Sequence, residues 1–174
     1  MSTPGPYPSY PDGPFEPPRA APNRPPSVDR SFQLWLANGV LGLIGFILVL
    51  TVGKDTFRDE VVKTLREGGT AYTDADIDAA LTIGLAFAGI VAAIFFGLYL
   101  LFAFKMRAGR NWARVVLAVL GGLALLLNII GLAGGGNMIE TIVTIVQIAL
   151  IGGAVYYMFT KESAEYFDAV KRHP

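Results

Sequence analysis

The chain has 174 residues and no net formal charge; 53% of the residues are hydrophobic and 16% are charged, at a mean hydropathy of +0.49. This composition is too apolar for an ordinary soluble domain. The absence of cysteine and the single histidine, His173, exclude disulfides, thiolate catalysis and metal centres built on Cys or His ligands. Zero net charge gives no overall preference for nucleic acid, and we expect no cofactor.

Proline dominates the N-terminal segment, residues 1–30, which holds ten of the eleven prolines. Such composition cannot bury a core, so we predict a disordered cytoplasmic tail. Pro8, Pro11, Pro14 and Pro17 share a three-residue register and would form one ridge of a polyproline II helix. The alternative interpretation is therefore a docking arm for a groove lined with aromatic side chains.

Four long apolar runs follow the tail. About twenty helical residues at roughly 1.5 Å each cross a hydrocarbon core of about 30 Å. Soluble buried helices are the competing interpretation, but the chain has too little polar surface to cover four of them. We predict an all-α polytopic membrane protein with a transmembrane domain over residues 31–160, a cytoplasmic C-terminal tail over 161–174, and spans at about 32–52, 79–104, 115–132 and 139–159.

The distribution of Lys and Arg predicts the orientation. With both termini inside, ten basic residues are cytoplasmic and four lie outside, which agrees with the positive-inside rule and a multi-pass plasma-membrane protein. A role in nucleic-acid binding would need more than the short basic stretch between spans two and three. The ten are Arg19, Arg24, Arg30, Lys105, Arg107, Arg110, Arg114, Lys161, Lys171 and Arg172; the four are Lys54, Arg58, Lys63 and Arg66.

The segment "KDTFRDEVVKTLREGG" between spans one and two predicts an amphipathic extracytoplasmic helix. Phe57, Val61 and Leu65 share one face, and Gly68 with Gly69 ends the helix. The helix would lie on the membrane surface or on the bundle. The alternative is a partner-binding helix outside the cell.

The acidic stretch "TDADID", residues 73–78, resembles the start of a calcium loop. Ala79 stands where the turn glycine belongs, and Leu85 stands where the bidentate glutamate belongs, so the calcium pattern fails. We predict instead that Thr73 caps the second span, with Asp76 at the reciprocal capping position.

Small residues recur along the second span every four positions. Helices in lipid approach closely at such surfaces, because lipid removes the hydrophobic drive to associate. A compact bundle or a homo-oligomer follows. The two rows are Ala80, Gly84, Ala88 and Ala92, and beside them Gly89, Ala93 and Gly97.

Few polar residues lie inside the predicted spans. Glu140 is the only charged one and, with Asn128 and Gln147, is a candidate functional residue. An antiparallel hairpin of spans three and four, centred on Gly134, would bring Asn128 level with Glu140 and Gln147 level with Gly121. A hydrogen bond between Asn128 and Glu140, or a helix-dipole role for Glu140, is the structural interpretation.

The C-terminal tail can continue span four as a helix. Its apolar side would include Tyr166, Phe167 and Val170, and this side can pack under the bundle.

Three features of the sequence occur together: the proline- and tyrosine-rich leader, "PPSVDRSFQLWLANGVLGL" at span one, and "MRAGRNWARVVLAVLGG" between spans two and three. This combination resembles small four-helix inner-membrane proteins of actinobacteria, mostly of unassigned function. The resemblance implies an actinobacterial origin and carries over no catalytic residue.

Our leading hypothesis is a non-enzymatic accessory or scaffolding subunit of a cell-envelope, division or respiratory assembly. It would contact the lipid bilayer and either a membrane-protein partner or its own copies. The alternative is a small oligomeric transporter or channel with Glu140, Gln147 and Asn128 along the path.

Overall fold

The computed structural model describes residues 22–69, 71–135 and 138–172. Those ranges contain helices and no strand, so the predicted all-α fold class is confirmed for them. The helices are α1 (Pro26–Val52), α2 (Lys54–Glu67), α3 (Asp74–Arg107), α4 (Asn111–Ala133), α5 (Met138–Met158) and α6 (Lys161–Arg172).

Four of these helices, α1, α3, α4 and α5, are long and apolar enough to cross a membrane. Three of them extend past the apolar runs. Helix α1 begins at Pro26 rather than at residue 32, α3 runs from Asp74 to Arg107, and α4 begins at Asn111 rather than at residue 115. With 34 residues, α3 is about 51 Å long, which exceeds a hydrocarbon core of about 30 Å. Hydropathy locates only the apolar part of a helix, because backbone hydrogen bonding continues into the polar flanks.

Local signals set several helix ends as predicted. The Thr73 hydroxyl accepts a hydrogen bond from the Asp76 backbone N–H at 3.3 Å, and the Asp76 carboxylate accepts one from the Thr73 N–H at 2.8 Å. This is the predicted capping box. Helix α2 ends at the predicted glycine pair, where Gly69 has φ of +65°.

The four long helices form an antiparallel bundle in which each helix has two neighbours. Helix α1 packs against α3 and α5, and α4 packs against the same two helices. Helix α2 contacts α3 and α1, whereas α6 lies against α1 and α5. Helix α6 does not continue α5, because the chain turns at residues 159–160. It does pack under the bundle, as predicted from its apolar side.

The buried apolar core lies at one end of this bundle. We call this the basic end; it comprises residues 22–35, the last turns of α3 and α5, the first turns of α4, and α6. The opposite end carries α2 and the turn between α4 and α5. Apart from Ile77, every buried apolar residue of the described chain belongs to the basic end: Val28, Phe32, Trp35, Ala103, Met106, Ala113, Leu117, Ile151, Ala154, Met158 and Phe167.

The half of the bundle beyond this core exposes large apolar side chains on all four long helices. Ile44 of α1, Phe87 of α3, Leu127 of α4 and Ile142 of α5 are at least half exposed. Water would not solvate such a surface favourably. The fold therefore combines a packed basic end with an apolar half that has surface left to contact lipid or protein.

Candidate functional site

The basic end is held together by arginine side chains that lie on aromatic rings. The guanidinium carbon of Arg114 is 4.3 Å from the ring centroid of Phe159 and 4.8 Å from that of Phe167. Each such contact is worth about 0.5–1 kcal/mol at an exposed site and more where water is excluded. Arg114 thus joins α4 to α6 and to the turn before α6.

A second arginine joins the end of α3 to the start of α1. Arg107 Nε donates to Asp29 Oδ1 at 2.8 Å, and its guanidinium carbon lies 4.7 Å from the ring centroid of Phe32. Arg24 also pairs with Asp29, at 3.4 Å. These groups are more than a third exposed, so the ion pairs contribute at most about 1 kcal/mol. The basic residues at the end of α3 and the start of α4 therefore also stabilise the packing of the helices.

Three buried serines connect α1 with α5 and α6. Ser31 donates to the Ala154 carbonyl at 2.8 Å, and Ser163 lies 2.9 Å from the Ser27 hydroxyl. Thr160 also reaches Ser163, at 3.1 Å. Sequence reasoning missed this cluster, although Ser27 and Ser31 are four residues apart and therefore share a helix face.

An open polar cavity of about 480 Å³ lies beside these serines. It is bounded by the start of α1, the end of α5 and the start of α6. Arg30 and Glu162 supply its two charged side chains, and the Arg30 guanidinium carbon lies 5.8 Å from the ring centroid of Tyr157. Tyr156, Thr160 and the residues Pro25 to Ser27 complete the lining.

A larger groove, of about 780 Å³, runs between α1 and α3 away from the basic end. At Gly39 the helices approach so closely that a Cβ atom would lie 2.7 Å from Tyr99 Cε1. At Gly42, Gly89 and Gly97 a Cβ atom would meet nothing within 4 Å, so no contact in the described chain requires glycine there. Aromatic rings supply much of the remaining wall, including Phe46, Phe95, Phe96 and Phe102.

Polar atoms gather where this groove meets the packed core. The Tyr99 hydroxyl donates to the Trp35 carbonyl oxygen. Asn38 Oδ1 and Trp35 Nε1 are both buried, and neither has a hydrogen-bond partner in the described part of the chain. Asn38 lies inside the first predicted span, 32–52, but its depth beside Trp35 and Tyr99 depends on packing between helices.

The predicted polar residues Asn128, Glu140 and Gln147 do not line this groove. The Asn128 amide donates to the Ala124 carbonyl of its own helix at 2.8 Å, Glu140 is exposed in the first turn of α5, and Gln147 is half-buried. Gly121 packs against Ile151, one helical turn beyond Gln147. The predicted alignment of Gln147 with Gly121 stays a prediction.

Some of the predicted partner-contact residues lie in the described part of the chain and others lie outside it. On α2, Phe57 is 40% exposed, while Val61 and Leu65 are half-buried. Arg58 holds α2 to the first turns of α3 through Asp74 at 3.0 Å and Asp78 at 2.8 Å. The other predicted contacts, Pro8, Pro11, Pro14 and Pro17, lie outside the described residues.

Within the described ranges, no three His, Cys, Asp or Glu side chains are grouped so that they could hold a metal ion. Comparison of the chain with protein-family models, with curated proteins and with solved structures gives no match.

Proposed function

We propose that this chain is an integral membrane protein of the plasma membrane and a non-enzymatic accessory or scaffolding subunit of a cell-envelope, division or respiratory assembly. One observation carries the proposal: the described core is confined to the basic end, while the other half of the bundle exposes apolar side chains on every long helix. Four helices of sufficient length and apolarity agree with a membrane location.

The proposed orientation has both termini and the basic end in the cytoplasm. It rests on the excess of Lys and Arg in the segments at that end. Trp112, which is half exposed, and Tyr156, which is 69% exposed, lie at the same end. Aromatic side chains of this kind are typical of the membrane interface. Helix α2 would then lie on the extracytoplasmic side.

The groove between α1 and α3 is the surface that we assign to a partner, and we commit to a transmembrane helix of another subunit as its occupant. Glycine within a helix costs about 0.5–1 kcal/mol relative to alanine. This cost applies to Gly42, Gly89 and Gly97, although no contact within the described chain requires a residue without a side chain there. Close approach of a further helix would use all three, because packing in lipid depends on small residues.

The polar residues give less support to a transport path. Asn128 is satisfied by its own helix, and none of Asn128, Glu140 and Gln147 lines the groove. We therefore favour the scaffold over the transporter or channel.

Affinity purification in mild detergent, followed by mass spectrometry, tests the proposal. Gly42→Leu and Gly89→Leu would fill the groove, whereas Gly122→Leu adds the same volume on α4, where a Cβ atom also meets nothing within 4 Å. We expect the two groove variants to lose a stoichiometric partner that wild type and Gly122→Leu retain. Recovery of the same partner by all four proteins would contradict the groove as the docking surface.

A version lacking residues 1–28 tests whether the proline segment contributes to the same assembly. Glu140→Gln separates the two functions: a scaffold tolerates this substitution, whereas a transporter that uses Glu140 loses flux in reconstituted vesicles. Loss of flux together with full partner recovery would contradict the scaffold.

A further inference from the structure

The cavity at the basic end has an unusual set of charges for a site beside a bundle of apolar helices. It contains one guanidinium, from Arg30, and one carboxylate, from Glu162. Both residues are exposed, and among the described residues they do not form an ion pair with each other or with a third group. Lys161 is adjacent in sequence but does not line the cavity.

The serine and threonine hydroxyls around the cavity have partners within the protein. Thr160 donates to the Tyr157 carbonyl at 3.1 Å, and Ser163 bonds the hydroxyl of Ser27 at 2.9 Å. These bonds fix the start of α6 against α1 and hold the walls in place. Arg30 and Glu162 therefore remain as the charged groups that can meet a ligand, together with the faces and hydroxyls of two tyrosines.

The cavity lies where the apolar part of α5 ends and close to the start of α1. Tyr156 and Tyr157 lie in the last turn of α5, Pro25 is the N-cap of α1, and Pro26 is its first residue. If the four long helices cross a membrane, as the proposed function holds, this position is at the membrane surface, and lipid chains can follow the exposed sides of α1 and α5. A ligand here would have a polar head in the cavity and an apolar body beside the helices.

We propose that this cavity binds the headgroup of a phosphatidylethanolamine. Arg30 binds the phosphate, since a guanidinium forms short, charge-assisted hydrogen bonds to phosphate oxygens. Glu162 accepts hydrogen bonds from the primary ammonium group, which can also lie against a tyrosine ring. The zwitterion matches one positive and one negative side chain, whereas an anionic phospholipid would leave the Glu162 carboxylate facing an anion. At about 480 Å³, the cavity is within the usual range of ligand pockets, about 300–1,000 Å³.

Native mass spectrometry of the full-length protein in mild detergent tests the proposal. The protein is supplied with phosphatidylethanolamine, phosphatidylglycerol or phosphatidylcholine. We expect wild type to retain phosphatidylethanolamine most strongly. Loss of one charge-assisted bond at an exposed site predicts that Arg30→Gln and Glu162→Gln each reduce this retention about three- to tenfold. The matched controls Arg172→Gln and Glu165→Gln change exposed residues that do not line the cavity, and we expect no change from them.

Preferential retention of phosphatidylglycerol by wild type, strengthened by Glu162→Gln, would overturn the proposal in favour of an anion site. Equal losses in the cavity variants and the controls would overturn it as well. Carbonate extraction of membranes keeps this failure distinct from failure of the proposed function. A protein that stays in the membrane without lipid preference contradicts the headgroup site alone, whereas a protein released by carbonate contradicts both.

Discussion

Removal of the Phe167 side chain tests how α6 is held to the basic end. Phe167 is 1% exposed and belongs to the buried core, so Phe167→Ala removes nearly all of its apolar contacts. Substitutions of this kind cost about 3–5 kcal/mol. The contact with the Arg114 guanidinium, at 4.8 Å, adds about 0.5–1 kcal/mol.

The loss should appear first as local detachment of α6. This helix has 12 residues, and isolated helices shorter than about 12–15 residues are marginal in water. A cost of about 3–5 kcal/mol raises the opening equilibrium of α6 roughly 100- to 4,000-fold, since each 1.4 kcal/mol is a factor of ten. The serine contacts between α6 and α1 remain in Phe167→Ala, so we expect the opening equilibrium to rise towards the lower end of this range.

Hydrogen exchange followed by mass spectrometry measures this opening. We expect protection in residues 161–172 to fall by about two orders of magnitude or more in Phe167→Ala, with little change in the centre of α4. Glu165→Ala, at an exposed position of the same helix, should leave exchange unchanged. Unchanged protection of α6 in Phe167→Ala would show that this ring does not anchor the helix.

Three further substitutions test other parts of the fold by thermal unfolding in detergent. Gly109 has φ of +81°, and a Cβ atom there would lie 2.8 Å from a Val170 methyl group, so Gly109→Ala should destabilise the protein by about 1–2 kcal/mol or more. Gly84→Ala, where a Cβ atom meets open space, should not destabilise it. Equal melting temperatures for the two variants would contradict this expectation. Thr73→Ala removes the cap of α3 and should cost about 1 kcal/mol, with faster exchange in the first turn of that helix as the check. Asp29→Asn removes two ion pairs that are more than a third exposed, so we expect a loss of at most about 1 kcal/mol that shrinks in high salt; a salt-independent loss would contradict the assignment.

Patterns close together in the sequence predicted several features of this fold. The run from residue 79 to 104 predicted the apolar part of α3, and the spacing of Thr73 and Asp76 predicted its capped start. Gly68 and Gly69 predicted the end of α2. Each of these features depends on residues within one or two helical turns, where side-chain spacing and backbone preference act directly.

Contacts between distant segments could not be predicted in the same way. Nothing near Arg114 in the sequence indicates that it contacts Phe159 and Phe167, because the whole of α5 separates those two residues from α4 along the chain. The same holds for Asn38 beside Tyr99, and for Arg30 and Glu162, which line one cavity. Such contacts depend on the relative depth and rotation of packed helices, which hydropathy alone does not determine.

Single-cysteine labelling tests the proposed orientation of the chain in a membrane. The natural sequence has no cysteine, so Thr64→Cys on α2 and Ala108→Cys at the basic end each introduce one exposed thiol without changing the charge. We predict that a membrane-impermeant maleimide labels Thr64→Cys in intact cells and labels Ala108→Cys only after permeabilisation. The reverse pattern, or labelling of both thiols in intact cells, would contradict it.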